Sequence, residues 1–152
     1  EAYWAAGGRV AQTHYLTLLA QSHLRQARRD EAERVLAEGL GAVEATGEAP
    51  WEPELHRLQG EVILARGAGP DGERETWLRE AHRCFQQALK IARRQGARSN
   101  ELRAALSLRR MWLEHGWGTE ELDILGEVLA QVTEGFDTAD VREAQRLLDA
   151  RT

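Results

Sequence analysis

The chain has 152 residues and a formal net charge of −5, with 42% hydrophobic and 30% charged side chains. That is the size of one domain with room for a real core. It is too apolar for a disordered tail and too acidic for a general affinity for nucleic-acid phosphates, which needs a basic surface. Cys84 is the single cysteine, which excludes an internal disulfide, and no apolar run approaches the roughly 20 residues of a membrane-spanning helix.

Glu1 to Arg9 do not read as a secretory leader. A cytoplasmic location is therefore expected, as is a place within a longer polypeptide, because the chain opens on Glu1 rather than Met. From Arg9, Tyr15, Leu16, Leu19, Ala20 and Leu24 recur at helical spacing and predict a helix to Ala27. Arg28 and Arg29 follow at its C-terminus, where the helix dipole favours cations. Asp30, three residues before Glu33, reads as a capping box opening a second helix, which carries Val35, Leu36, Leu40 and Val43 to a stop near Gly47. Pro50 and Pro53 bound the third start, since proline is tolerated in the first turn of a helix and nowhere deeper. Its stripe is Leu55, Leu58, Val62 and Ile63.

The run from Gly67 to Gly72 reads as an insertion that lengthens a hairpin loop. A long helix from about Glu73 to Gln95 then aligns Trp77, Ala81, Phe85, Ala88, Leu89 and Ala92, and Gly96 stops it. Ser99 is the expected cap of a fifth helix with Leu102, Ala105, Leu106, Leu108, Trp112 and Leu113, ending at Gly116. Thr119 is the expected cap of a sixth, with Glu120 and Glu121 in its first turn and Leu122, Leu125, Val128, Leu129 and Val132 inward. Asp137 is expected to cap a seventh, apolar at Val141, Ala144, Leu147 and Leu148 and polar on the other side, as the closing helix of a stack requires.

Laid over one another, these helices share a spacing: Ala20, Ala32, Leu36 and Gly39, then Gly60, Ala81, Phe85 and Ala88, then Arg109, Glu121, Leu125 and Val128. A small residue facing two small residues that bracket a large apolar one is what tightly packed antiparallel helices need. The pattern resembles a tetratricopeptide repeat. It predicts an all-α fold: a right-handed solenoid of tetratricopeptide-like antiparallel helical hairpins at about 9–47, 53–96 and 99–134, with a C-terminal capping helix at about 137–150, forming one domain over 1–152. Arg109 and Glu121 stand where small residues are usual, so the third hairpin is expected to be looser or splayed.

Candidate chemistry is sparse. Gly67 to Gly72 spells G-x-G-x-x-G, but that motif works only between a strand and a helix, and no strand pattern precedes it. The histidines lack zinc-ligand spacing, and Cys84 beside Phe85 reads as a buried, inert thiol. No serine sits in a nucleophile elbow, so no catalytic residue, metal or cofactor is expected. The pairs Arg28-Arg29, Arg93-Arg94 and Arg109-Arg110 read as cations among acidic residues, two of them near helix C-termini, rather than as a nucleic-acid stripe.

In a repeat of this kind the first helix of each hairpin lines a concave face. By the register above, its outward positions include His14, Thr17, Gln21 and Arg25, then Glu54, Arg57 and Glu61, then Arg103 and Arg110. Such a polar groove suits a charged peptide or a small polar ligand; the same positions suit a plain solvated helix face. As groove residues, Arg57 and Arg110 are expected to be dispensable for stability. Trp51 and Trp117 lie beside turns, where one is expected to be exposed, while Trp77 and Trp112 pack between helices.

Four segments carry a further resemblance: 18–24 (Leu-Leu-Ala-Gln-Ser-His-Leu), 54–61, 84–93 and 101–108, together with the closing Thr133-Glu134-Gly135-Phe136-Asp137-Thr138-Ala139-Asp140. From about Arg9 to Ala150 the chain resembles the tetratricopeptide-like C-terminal region of large bacterial multidomain signal-transduction ATPases of the STAND type. The resemblance implies a P-loop ATPase joined to a cyclase-like or DNA-binding output domain elsewhere in the polypeptide. In this segment it implies a non-enzymatic module that binds a protein or peptide, another domain of the same polypeptide, or a small-molecule inducer. No direct nucleic-acid or membrane partner is expected. The alternative is a stand-alone tetratricopeptide adaptor or scaffold that binds partner peptides.

Overall fold

The computed structural model describes residues 8–47, 50–66, 71–116 and 123–149. The described residues form seven helices and no strand: α1 (Gly8–Arg25), α2 (Arg29–Thr46), α3 (Glu52–Ala65), α4 (Asp71–Gln95), α5 (Arg98–His115), α6 (Ile124–Leu129) and α7 (Ala139–Asp149). Every helix packs on its neighbour in sequence. In addition α1 touches α3, α3 touches α5 and α5 touches α7, so the odd-numbered helices form a continuous row. No helix among the described residues is long and apolar enough to cross a membrane.

Volume decides the seams. Ala20, Ala32, Ala81 and Ala88 are fully enclosed, and Phe85 is buried between α3 and α4. A Cβ on Gly60 would stand 2.5 Å from Cε1 of Phe85, and one on Gly39 would stand 2.7 Å from Cδ2 of Leu55. Any side chain at Gly60 therefore collides with an enclosed ring, which is why α3 and α4 need glycine there to close. Arg109 occupies the matching place on α5 and is buried. Its guanidinium lies 4.5 Å from the centre of the Trp112 ring, and Nη2 donates to the Leu147 carbonyl of α7 at 3.4 Å.

The helix ends depart from expectation in instructive ways. α1 stops at Arg25, and Ala27 takes a left-handed φ of 56°. The Arg28 N–H then bonds the His23 carbonyl and the Ala27 N–H the Leu24 carbonyl, the Schellman pattern that Gly96 and Ala97 make at the end of α4. Leaving that turn, the Arg28 carbonyl at once accepts from the Ala32 N–H, so α2 starts before Asp30. Asp30 is thus a first-turn anion and not the cap, and no side chain caps α2. α5 likewise opens from Ala97, whose carbonyl accepts from Glu101 N–H, which puts Ser99 inside the helix. Thr138 replaces Asp137 as the cap of α7, its Oγ1 accepting from the Val141 N–H at 3.4 Å.

Asp71 and Gly72 already belong to α4, and α6 ends at Leu129 instead of continuing to 134. Tyr15 is 63% exposed because the inward arc of α1 runs through Thr13, Leu16, Thr17 and Ala20; Leu113 is exposed as well. Trp117, Thr119, Glu120, Glu121, Leu122 and the loop at 67–70 lie outside the described residues.

Candidate functional site

A groove of about 450 Å³ runs along the row of odd-numbered helices. α1 supplies His14, Thr17, Leu18, Gln21 and Arg25, the start of α3 supplies Trp51, Glu54 and Arg57, α5 supplies Arg103, Leu106 and Arg110, and α7 supplies Asp140. Eight of the nine residues expected on one face are therefore brought together. Glu61 does not line the hollow but joins its hydrogen-bond network. Within each helix the shared face follows from residues three, four or seven apart.

On the α1 side, the Thr17 hydroxyl is buried and donates to the His14 carbonyl at 2.6 Å. The His14 ring lies against Trp51, with centroids 4.1 Å apart and planes inclined by 31°. Arg25 is exposed and makes no ion pair among the described residues.

The floor is a buried network. Arg57 grips Glu54 with two bonds, Nε to Oε2 at 2.9 Å and Nη2 to Oε1 at 2.8 Å. Arg57 Nη1 also donates to Glu61 Oε1 at 3.0 Å and to Ser107 Oγ at 3.3 Å, while Ser107 Oγ donates to Glu61 Oε1 at 2.8 Å. Burial works against the Arg57 charge, but the hydrogen bonds and charge of Glu54, followed by Glu61 and Asp140, more than offset it and raise its pKa. This corrects the expectation that Arg57 is dispensable. Removing it would leave Glu54, itself 4% exposed, with only the more distant Arg103 as counter-ion.

The rim is a second, wetter set of pairs. Arg103 Nε donates to Asp140 Oδ2 at 2.8 Å, and Arg110 holds Glu143 through Nε and Nη2 at 2.7 and 2.8 Å. Arg103 and Arg110 also lie 3.9 Å from Glu54 and 3.8 Å from Glu61, which ties the rim to the floor. The Glu143 hydrogen bond is the leading reason that the Arg110 pKa is raised, and the same bond holds the Glu143 carboxyl below its usual value. A second hollow of about 580 Å³ lies between the start of α5 and residues 131–141, and it shares Arg103 and Asp140 with the groove.

Sequence reasoning missed Leu18, Trp51, Leu106, Ser107, Asp140 and Glu143. Leu18 and Leu106 were within reach, since they fall on the arcs of Gln21 and of Arg103 and Arg110. Asp140 and Glu143 required knowing that α7 rejoins the odd-numbered row.

Elsewhere, Glu101 is buried between Arg93 of α4 and Arg98 of α5, each donating at 2.9 Å. Arg93 is therefore more than a dipole cation; it ties the α4–α5 turn. Cys84 is half-buried and donates to Gln59 Oε1 at 3.7 Å, and burial, with Glu80, pushes its thiol pKa up. Among the described residues no three His, Cys, Asp or Glu side chains gather as metal ligands. No family model matches the chain, and no curated protein or solved structure shows significant similarity to it.

Proposed function

We propose that this chain is a non-catalytic protein-interaction or ligand-sensing module, built as a right-handed solenoid of three tetratricopeptide-like hairpins closed by α7. In this reading it forms the C-terminal segment of a cytoplasmic bacterial regulatory ATPase. The observation that carries the interaction role is the groove: residues chosen from helical register alone, on three separate helices, line one hollow of about 450 Å³. The hairpin reading draws support from the fully enclosed alanines at the repeat positions and from the contacts between alternate helices. A groove rich in paired arginines and carboxylates, with Leu18 and Trp51 beside them, fits recognition of a charged segment better than turnover of a substrate.

The test is the native polypeptide, its mass and its upstream sequence. A Walker-type P-loop ahead of the segment supports the sensor arm, and Gln21→Trp, which fills the groove, should then uncouple nucleotide turnover from the effector. A native mass close to 17.1 kDa overturns the ATPase link and leaves the stand-alone adaptor.

A further inference from the structure

The two ends of the stack are finished differently. At the C-terminal end α7 turns Arg142, Gln145, Arg146 and Asp149 to solvent, the polar face on which a helical stack closes. At the other end α1 carries no Asp, Glu, Lys or Arg from residue 10 to residue 24. Its outer side shows Tyr15 and Leu18, 63% and 52% exposed, beside half-buried Ser22. Two exposed apolar side chains are ordinary in themselves. Their place in the repeat is not.

Counted from the shared position of Ala20, Gly60 and Arg109, Tyr15, Leu18 and Ser22 match Leu55, Leu58 and Val62 of α3 and Ala104, Ser107 and Met111 of α5. All six of those matching residues are buried. Leu55, Leu58 and Val62 share a core with Ala32, Leu36 and Val43 of α2, while Ala104 and Met111 share one with Ala81, Phe85 and Ala88 of α4. Leu55 comes so near α2 that a Cβ on Gly39 would stand 2.7 Å from its Cδ2, and Ser107 reaches back to Glu61 of α3. The same three positions on α3 and α5 thus bind the hairpin before them. On α1 they have no such hairpin to meet among the described residues.

We infer that in the native polypeptide a further hairpin of the same kind precedes α1, its second helix packed on Tyr15, Leu18 and Ser22 and carrying glycine or alanine opposite Tyr15. The inference rests on reading the chain as a segment of a longer polypeptide, and it continues an interface that the row already makes twice.

A second copy of the chain offers no such helix among its described residues. α2 and α4 have their small-residue faces occupied by α3 and α5, α6 has only six residues and packs between α5 and α7, and the exposed side of α7 is polar. Two α1 faces laid together would set Tyr15 and Leu18 on both sides, where the row sets a large side chain against glycine. The first helix of the added hairpin would stand beside α1 as α1 stands beside α3. Leu18 also lines the groove, so the groove would run on past α1 along that helix.

The experiment is hydroxyl-radical footprinting of the native polypeptide, read by mass spectrometry, with exposed Phe136 and enclosed Phe85 as the fast and slow references. Tyr15 should be oxidised about tenfold more slowly than Phe136, because a close-packed seam excludes water, and dilution should not change its rate. Leucine in place of the upstream glycine or alanine should raise the Tyr15 rate about fivefold while Phe85 stays slow. Should Phe85 react faster as well, Tyr15→Asp replaces that variant, and it should speed amide exchange about tenfold ahead of Gly8 and not in α4.

A Tyr15 as reactive as Phe136 overturns the inference. So does shielding that is lost on dilution, which would mean a second copy, shielding that the leucine leaves intact, which would mean another cover, or unchanged exchange in Tyr15→Asp. A shielded Tyr15 with no Walker-type P-loop upstream supports the added hairpin and sinks the ATPase link; a reactive Tyr15 behind a P-loop does the reverse.

Discussion

Glu54–Arg57 and Arg110–Glu143 are two bidentate arginine–carboxylate pairs with nearly the same bond lengths, 2.9 and 2.8 Å against 2.7 and 2.8 Å. Their surroundings differ. The side chains of Arg57 and Glu54 are 9% and 6% exposed, those of Arg110 and Glu143 36% and 27%. Bond geometry therefore does not separate a fixed strut from an exchangeable latch; access of water does. In the floor, each charge has given up its hydration and depends on the other. At the rim, either partner can return to solvent at small cost, and the net worth of the pair is correspondingly small.

The largest effect that tests this contrast is expected from Arg57→Ala. Leaving Glu54 buried with only Arg103, at 3.9 Å, against its charge should destabilise the fold by about 3 kcal/mol, read by urea denaturation. Replacing both partners by methionine should recover most of that loss, because no charge is then stranded; a double variant as unstable as Arg57→Ala would mean that packing and not charge holds the floor. Next comes a steric control away from the groove. Gly60→Ala gains about 1 kcal/mol of helix propensity but drives a Cβ into Phe85, for a net loss of about 1–2 kcal/mol. That loss should not change between pH 7 and low salt or acid, and Phe85→Leu in the same chain should relieve it.

Arg110→Ala should cost no more than about 1 kcal/mol, since its pair is half in water. A loss as large as that of Arg57→Ala would erase the distinction between floor and rim. The smallest effect is a pH dependence. The folded Glu143 carboxyl is held below its usual value, chiefly by the Arg110 hydrogen bond. Its contribution is therefore full above about pH 4.3 and is lost as the pH falls through the lowered value. The stability difference between wild type and Glu143→Gln should accordingly close on acidification, and should be smaller in an Arg110→Ala background, where Arg146 alone still favours the carboxylate.

Packing wrote itself into the sequence more clearly than electrostatics did. Ala20, Ala32, Gly60, Ala81 and Ala88 stood out because a seam between close helices rejects volume, and a one-residue error in register would have turned them to solvent. The all-helical architecture followed from the same periodicity. Helix starts were less legible, because Arg28, Ala97 and Thr138 open α2, α5 and α7 through backbone bonds fixed by the preceding turn or link, which override the appeal of a nearby Asp or Ser.

The groove was legible in position and not in role. Arg57 was placed correctly on its face, and the Glu54 and Glu61 that clasp it lie three residues before and four after it, but its burial depended on Ser107, fifty residues away. The α7 carboxylates were unreadable for the same reason. Their meaning is set by a helix that returns to the row only after α6 has turned the chain.

The row of alternate helices has a mechanical consequence. Each of α1, α3, α5 and α7 packs on the next, so strain or fraying at one end is passed on chiefly through successive interfaces. A segment lying along the groove would touch α1, α3 and α5 at once. It would act as a tie-rod across interfaces that otherwise open one at a time, turning local breathing into a single concerted transition and giving occupancy a signal that the distant end of the row can read.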